Sequence, residues 1–336
     1  MRTILDALPE PALIVAGGTV RMSNAAAGSV LGPALDGRPV SEAVPHPAAV
    51  ERLLGATSDA ADEVELAGIG EADRRWTMSV APLPDGALLV RLIDRSVAHA
   101  AEKMRVDFVA NASHELRTPL ATLVGYAETL REQSDEIDPA TRERFIAIVH
   151  EEAKRMQRLV EDLISLSRIE AERFSTPRDP LPLAELIEEA RRGSRGLTDE
   201  RGSELRVESE PDLPEVTGDR NEILQLLDNL IGNALRYGRK GAPVRIRMRR
   251  EREMVRLTVS DEGEGIEPRH IPRITERFYR VDPSRSRSLG GTGLGLAIVK
   301  HIVERHRGRL HIESELGRGT DVHVLLPVAA AGGGAA

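Results

Sequence analysis

The stretch Phe108-Val109-Ala110-Asn111-Ala112-Ser113-His114-Glu115-Leu116-Arg117-Thr118-Pro119-Leu120 sets a histidine and a glutamate side by side inside a helical pattern. Apolar residues recur at Val109, Ala112, Leu116, Leu120, Leu123, Ala127 and Leu130, in three- and four-residue steps that predict one buried helix stripe. His114 lies two residues from Leu116, roughly 200° around a helix of about 3.6 residues per turn, so its imidazole is predicted to face water. Pro119 removes one backbone hydrogen bond and crowds the carbonyl of Glu115, which predicts a local weakening or bend. Taken alone, an exposed histidine is more often surface decoration than a reactive group.

Downstream, residues 133–139 (Gln-Ser-Asp-Glu-Ile-Asp-Pro) form a short polar link, with Pro139 just inside a new helix start after Asp138. That second helix is predicted to run to about residue 170 on an apolar face of Phe145, Ile148, Val149, Met156, Leu159, Val160, Leu163, Leu166 and Ile169. Two long amphipathic helices joined by so short a link form an antiparallel hairpin. A hairpin cannot bury a stripe on both helices by itself, so a second copy is the natural partner, giving a homodimeric four-helix bundle. A purely structural hairpin remains open at this step.

The chain has 336 residues, which implies about two or three domains. With 40% hydrophobic and 30% charged residues it is of the soluble globular class, and 2% aromatics leave the interior to Ala, Leu, Val and Ile. A net charge of −8 with no basic, aromatic-interleaved patch argues against a nucleic-acid partner. The absence of cysteine excludes disulfides, thiolate chemistry and cysteine-bound metals. No run approaches the roughly 18 apolar residues that span a bilayer, and a signal-peptide pattern is missing, so a cytoplasmic chain without membrane insertion is expected.

Residues 1–95 alternate short apolar runs with Gly and Pro punctuation. Ala12 to Ala16 and Thr19 to Met22 around Gly17-Gly18 predict one hairpin; Arg75 to Leu83 and Ala87 to Ile93 around Pro84-Asp85-Gly86 predict a second, with short helices between. His46, in Val44-Pro45-His46-Pro47, is predicted to be an exposed, uninvolved turn residue. This part resembles a PAS sensory domain, with Asn24-Ala25-Ala26 after the first hairpin and Ile93-Asp94-Arg95-Ser96 at its close. A small α+β packing domain without ligand is the competing reading, and the missing cysteine excludes a thiol-adduct flavin photosensor.

Beyond a proline-marked linker at 173–182, a helix (Leu183, Leu186, Ile187, Ala190) precedes a strand near Leu205. A stronger helix opens at Asp219, where Asp219-Arg220-Asn221-Glu222 has the spacing of a capping box. On it Asn229, Asn233 and Tyr237 line up four residues apart, with Arg236 beside them. Val244 to Met248 and Val255 to Val259 predict a strand hairpin around an Arg249 to Glu253 turn. Its second strand ends in Asp261-Glu262-Gly263-Glu264-Gly265-Ile266, where an aspartate can accept a bond from an amino group. Gly290-Gly291-Thr292-Gly293-Leu294-Gly295-Leu296 then opens a helix, an arrangement that favours phosphate. It lacks the Gly-Lys-Ser/Thr ending of a Walker A loop. Two strands follow, Leu310 to Glu313 and Thr320 to Leu326, around Gly317-Arg318-Gly319.

From about residue 93 to 328 the chain resembles the sensor histidine kinases of two-component systems, in the style of the phosphate-regulon type. Phe108 to Leu120 matches the phosphoacceptor box, Asn229 to Tyr237 the asparagine block, and Asp261 to Gly265, Phe278, Gly290 to Gly295 and Gly317 to Thr320 the remaining nucleotide blocks. The resemblance implies a multidomain chain: a PAS-like α+β domain (1–95), a dimerisation and phosphotransfer hairpin (96–172), a linker (173–182) and an ATP-binding α/β sandwich of the gyrase, Hsp90 and MutL kind (183–328); the Ala/Gly composition of 329–336 predicts a disordered tail. It implies His114 as phosphoacceptor, Glu115 as general base, and Thr118 as a positioning residue for dephosphorylation of the partner. Asn233 is implied to hold Mg²⁺ with Asn229 close by, Asp261 to bind the adenine amino group, and Arg236 and Tyr237 to line the nucleotide. Gly263, Gly265, Ile266, Phe278, Gly291, Thr292, Gly293, Leu294, Gly295, Leu296 and Thr320 complete the implied site. Arg280, Arg285 and Arg287 on a lid from about 271 to 290 are implied to screen phosphate charge.

The implied activity is ATP-dependent autophosphorylation of His114, followed by transfer to an aspartate of a response regulator and, in reverse, dephosphorylation of that regulator. Nothing after 328 is long enough for a receiver domain, so the regulator is expected to be a separate chain; an upstream membrane segment stays open. Arg236 stands where lysine is usual, Asp228 where an apolar residue is common, and Gly238 where Ser or Thr is usual. A catalytically silent signalling scaffold, or another ATPase of the same nucleotide fold, are the alternatives. The first is expected to lack His114, Asn233 or Asp261, and the second the bundle histidine.

Overall fold

A computed structural model describes residues 2–55, 63–71, 73–132, 137–172, 175–282 and 291–329. The predicted site residue Arg287, together with Arg285 and Gly290, lies outside the described residues. The chain divides into two compact units, Met1–Ala110 and Asn111–Ala336. No described helix is long and apolar enough to cross a membrane.

In the first unit, α1 (Arg2–Asp6) leads into the hairpin of β1 (Ala12–Ala16) and β2 (Thr19–Ser23). Helices α2 (Ala25–Leu31), α3 (Val40–Ala43) and α4 (Pro47–Leu54) precede β3 (Glu63–Ala67), β4 (Arg75–Pro82) and β5 (Leu88–Asp94). The strands form one antiparallel sheet in the order β2-β1-β5-β4-β3. Both predicted hairpins are present. The edge strand β3 is an addition to the expected elements, because Glu63-Val64-Glu65 carries the charges that guard a sheet edge and obscure its apolar signal. Leu13, Val20, Met78, Val90 and Leu92 of the sheet pack with Ala27, Leu35, Val40 and Leu53 of the helical side.

Asn24 is the polar knot of this unit. Its Oδ1 accepts from the N–H of Ala27, capping α2 at 2.9 Å, and from that of Ala12 at 3.0 Å. Its Nδ2 donates to the carbonyls of Leu5, Leu8 and Glu10. One buried amide thus satisfies backbone groups of three segments, each of which would cost about 1–3 kcal/mol if left unpaired. His46 differs from expectation: it is half-buried at the N-terminus of α4, with Nδ1 screened from solvent.

Helix α5 (Ser96–Glu132) runs without interruption through Pro119, and α6 (Pro139–Ala171) opens where Asp138 accepts from the N–H of Thr141 at 3.0 Å. The rings of Tyr126 and Phe145 meet across the hairpin at 4.9 Å. The predicted stripe is not buried within one chain: Leu120 is 50% exposed, and Leu116, Leu123 and Leu130 are half-buried. Val124 on α5 and Ile146, Val160 and Ile164 on α6 are exposed as well, an apolar surface left for a second copy.

The rest of the second unit is a two-layer α/β sandwich. In chain order it comprises β6 (Asp179–Leu181), α7 (Leu183–Gly193), α8 (Arg195–Arg201), β7 (Leu205–Ser209), β8 (Val216–Gly218) and α9 (Arg220–Tyr237). Strands β9 (Val244–Glu251) and β10 (Met254–Asp261), helix α10 (Gly295–Arg305), and strands β11 (Arg309–Glu315) and β12 (Gly319–Pro327) complete it. The main sheet runs β11-β12-β10-β9-β7, antiparallel except for the parallel β7–β9 pair. Ile223, Leu227 and Leu230 of α9 and Ile298 and Ile302 of α10 are buried, as are Ile246, Leu257 and Val324 of the sheet. Each such side chain contributes about 1.5–3 kcal/mol of burial.

Several local expectations change. The linker contains β6, which pairs with β8, because Leu181 can bury beside Val216 despite the flanking prolines. The Arg249 to Glu253 turn shrinks to Arg252-Glu253, since the arginine-rich strand end still pairs across to Met254. The capping box at Asp219 is half present: the aspartate accepts from Asn221 and Glu222, but Glu222 does not reach back. His306 Nε2 accepts the N–H of Asp219 instead, at 3.0 Å, and the buried Glu222 carboxylate pairs with Arg305.

Candidate functional site

A cavity of about 320 Å³ opens in the second unit among α6, α9, the end of β10 and the glycine-rich segment that opens α10. Helical spacing carries Asn229, Asn233, Arg236 and Tyr237 of α9 to its wall. Asp261 ends β10, where its carboxyl accepts the N–H of Gly263 at 2.8 Å, and Gly265 and Ile266 follow along the rim. Opposite them stand Gly291, Thr292, Gly293, Gly295, Leu296 and Thr320. Leu294 is fully buried behind the loop, while Gly263 and Phe278 support the rim without lining the cavity. The N–H of Phe278 donates to the Gly293 carbonyl at 2.8 Å.

Two glycines are required by space. Gly265 adopts φ +73°, and a Cβ there would strike the Glu315 carbonyl. A Cβ at Gly295 would lie 2.6 Å from Asn229 Oδ1, so the helix start and the asparagine block meet only because no side chain intervenes.

Burial pushes the Asp261 carboxyl up to about 6, against the opposing bonds from the backbone of Gly263 and Thr320. The departure residue Asp228 is exposed and does not line the cavity. Asn233 makes no side-chain hydrogen bond to the described residues, and Asn229 uses only its Nδ2, on the Gln225 carbonyl at 3.0 Å. Both side-chain carbonyls therefore remain as hard oxygen donors at the cavity wall, the type that suits Mg²⁺. Among the described residues no cluster of three or more His, Asp or Glu could hold a metal by itself.

His114 is exposed on α5, as the stripe geometry predicts. Glu115 beside it is bracketed by two guanidiniums, Arg155 of α6 at 3.4 Å and Arg280 at 3.0 Å. Arg280 also donates to the Gly291 carbonyl at 2.9 Å. The carboxylate next to the histidine is thus joined through one buried arginine to the glycine-rich loop. Thr118 Oγ1 bonds back to the His114 carbonyl at 3.4 Å.

Sequence reasoning missed a whole wall of the cavity. Arg158, Glu161 and Asp162 line it from α6, and Thr292 Oγ1 donates to Asp162 Oδ2 at 2.6 Å. Burial pushes the Asp162 carboxyl up, and burial followed by the charge of Arg158 pulls the Arg236 guanidinium down. Charged residues on an amphipathic helix read as a solvated face, so nothing in their spacing marked them. The same holds for Arg305 at the end of α10, a 6% exposed guanidinium that pairs with Glu222 and Glu172. Arg305 Nε also donates to the carbonyls of Glu172 and Ser175, fastening the end of α6 to the sandwich.

Two family models match the chain: residues 104–172 match the His Kinase A (phospho-acceptor) domain, and residues 218–330 the histidine kinase-, DNA gyrase B- and HSP90-like ATPase. The chain is 37% identical to the phosphate regulon sensor protein PhoR of Pseudomonas aeruginosa over 308 residues, 90% of this chain and 68% of that protein. It is 37% identical to the sensor protein SrrB of Staphylococcus aureus over 245 residues, 71% of this chain but only 41% of SrrB. In fold it is similar to the histidine kinase ThkA, solved in complex with the response regulator protein TrrA, with a TM-score of 0.55 and 18% identity over 98% of both chains.

Proposed function

The chain belongs to the sensor histidine kinases of two-component systems, and we propose that His114 is the residue it phosphorylates from ATP bound in the cavity between α6, α9 and α10. One observation carries this reading: the Glu115–Arg280–Gly291 chain of contacts links the neighbour of the histidine to the loop suited to phosphates. Asp261 accepts the adenine amino group, Tyr237 and Arg236 flank the nucleotide, and the free backbone N–H groups at the start of α10 face the phosphates. Asn233, with Asn229 beside it, would hold Mg²⁺ through its side-chain oxygen, and the ion would supply charge neutralisation to the triphosphate.

In the transfer, a ring nitrogen of His114 forms a bond to the γ-phosphorus while the bond from that phosphorus to the bridging oxygen breaks and ADP leaves. Glu115 takes the proton from the other ring nitrogen or orients it. To do so it must give up a guanidinium, and Arg280 is the one with a second task, since the loop it touches is the phosphate-binding one. Moving Arg280 from carboxylate to phosphate frees the base and screens the developing charge together. The phosphoryl group then passes to an aspartate of a response regulator, and Thr118 positions water for removing it from that partner. The chain acts as a homodimer through the hairpin, whose exposed Leu120, Val124, Ile146 and Ile164 complete the shared core. A supply of ATP and a diffusible regulator fit the cytoplasm. The PAS-like reading of the first unit is supported by its five-stranded antiparallel sheet, with the short helices inserted between β2 and β3.

Incubation with γ-labelled ATP and Mg²⁺ is expected to yield an acid-labile, base-stable adduct that is absent from His114→Gln. Equal labelling of that variant would refute the assignment.

A further inference from the structure

We propose that Arg158, on α6 and outside every nucleotide motif of the sequence, binds the terminal phosphate of ATP and so makes the chain distinguish ATP from ADP. The inference rests on the reading of the cavity as the nucleotide site and adds a wall to it. Arg158 lines the cavity one helical turn before Asp162, on the same face of α6. Its Nε is screened from solvent and has no hydrogen-bond partner among the described residues. A buried guanidinium nitrogen left unpaired is costly, so the arrangement is waiting for an acceptor.

Arg236 lines the same cavity from α9, so two guanidiniums share one partly buried space, and the charge of Arg158 adds to burial in pulling the Arg236 guanidinium down. Two like charges in one partly buried space favour an anion between them. The protein's own candidate is Asp162, but its carboxylate already accepts from Thr292, and burial makes it a reluctant anion despite both guanidiniums. A phosphoryl oxygen set is the better match, because guanidinium and phosphate form paired, charge-assisted bonds.

The position selects which phosphate. Asp261 marks the base end of the cavity and the segment from Gly291 to Gly295 its phosphate end, where Thr292 meets Asp162. Arg158 stands beside that contact on the helix that belongs to the histidine hairpin. The phosphoryl group nearest that hairpin is the one to be transferred. ADP lacks this group, so it engages the α9 and α10 walls without reaching Arg158. The bundle helix then senses whether the nucleotide is spent.

Equilibrium binding of ATP and ADP to the full chain with Mg²⁺, measured calorimetrically, tests this. Wild type is expected to bind ATP more tightly than ADP. Arg158→Gln is expected to weaken ATP by about tenfold, the loss of one charge-assisted bond, and to leave ADP within about twofold. Arg158→Lys, which keeps the charge and loses the fork, is expected to recover part of the ATP preference with an unchanged unfolding temperature. Equal weakening of both nucleotides in Arg158→Gln, or unaltered ATP affinity, overturns the role of Arg158 and leaves the cavity assignment standing. A wild type that binds neither nucleotide overturns the cavity assignment as well.

Discussion

Replacing Asp261 by asparagine is expected to make the empty protein more stable and the nucleotide site worse. Burial raises the carboxyl from 3.8 to about 6, and at about 1.36 kcal/mol per pH unit this makes the ionised side chain cost the nucleotide-free fold about 3 kcal/mol. The sign follows from the raised value: the protonated form is favoured by folding, so the group's stabilising contribution is full below 3.8 and is lost as pH rises through about 6. A neutral amide in its place is blind to that titration. In urea unfolding without nucleotide, the advantage of Asp261→Asn over wild type is expected to grow from about 1 kcal/mol at about pH 4.5 to about 3 kcal/mol at about pH 7.5. ATP reverses the preference, because an adenine amino group donating to the carboxylate favours the ionised form. Wild-type affinity for ATP should therefore fall as pH drops below about 6. Asp261→Asn should bind about tenfold more weakly at about pH 7.5, having exchanged a charged acceptor for a neutral one. A variant no more stable than wild type at the higher pH, or a stability difference independent of pH, would refute the burial argument.

Further outcomes concern the hairpin and its attachment. For Thr118→Ala, dephosphorylation of the regulator is expected to slow by about tenfold or more while His114 labelling is kept, as measured with phosphorylated regulator and with γ-labelled ATP in parallel. Full phosphatase activity would argue against the water-positioning role. Arg305→Met leaves Glu222 buried without its cation and is expected to cost about 3–5 kcal/mol in thermal unfolding, most of which a second change, Glu222→Leu, should restore. A single variant as stable as wild type would mean that the pair is solvated.

Periodicity alone exposed the two hairpin helices, the α9 face bearing Asn229 and Asn233, and three strand hairpins, because each is a local pattern repeated over several turns or pleats. What stayed hidden depends on pairing across distance. Strand β6 is three residues long, carries Pro180 within it, and among the described residues pairs with β8, dozens of positions downstream. His306 displaced Glu222 from the cap at Asp219, and only the packing of α10 on α9 brings that ring there. The motif residues of the cavity were legible because glycines and asparagines in register serve no core. Arg158 and Asp162 were not, since arginine and aspartate on a helix surface are common and the sandwich that covers them is encoded elsewhere. The contact of Arg280 with Glu115 joins residues far apart in the chain, and no local pattern could announce it.

The apolar residues left open along α5 and α6 have a consequence for how this chain exists in solution. Leu120 and Ile164 are half or more exposed on a single copy, so part of the interior that secures the hairpin is supplied by another molecule. Folding and association then become one equilibrium, and its midpoint moves with protein concentration as mass action requires. Dilution does not simply release a competent single subunit; it withdraws the solvent-excluded neighbour that keeps the helix bearing His114 in shape. The abundance of the chain is thereby a structural variable in its own right.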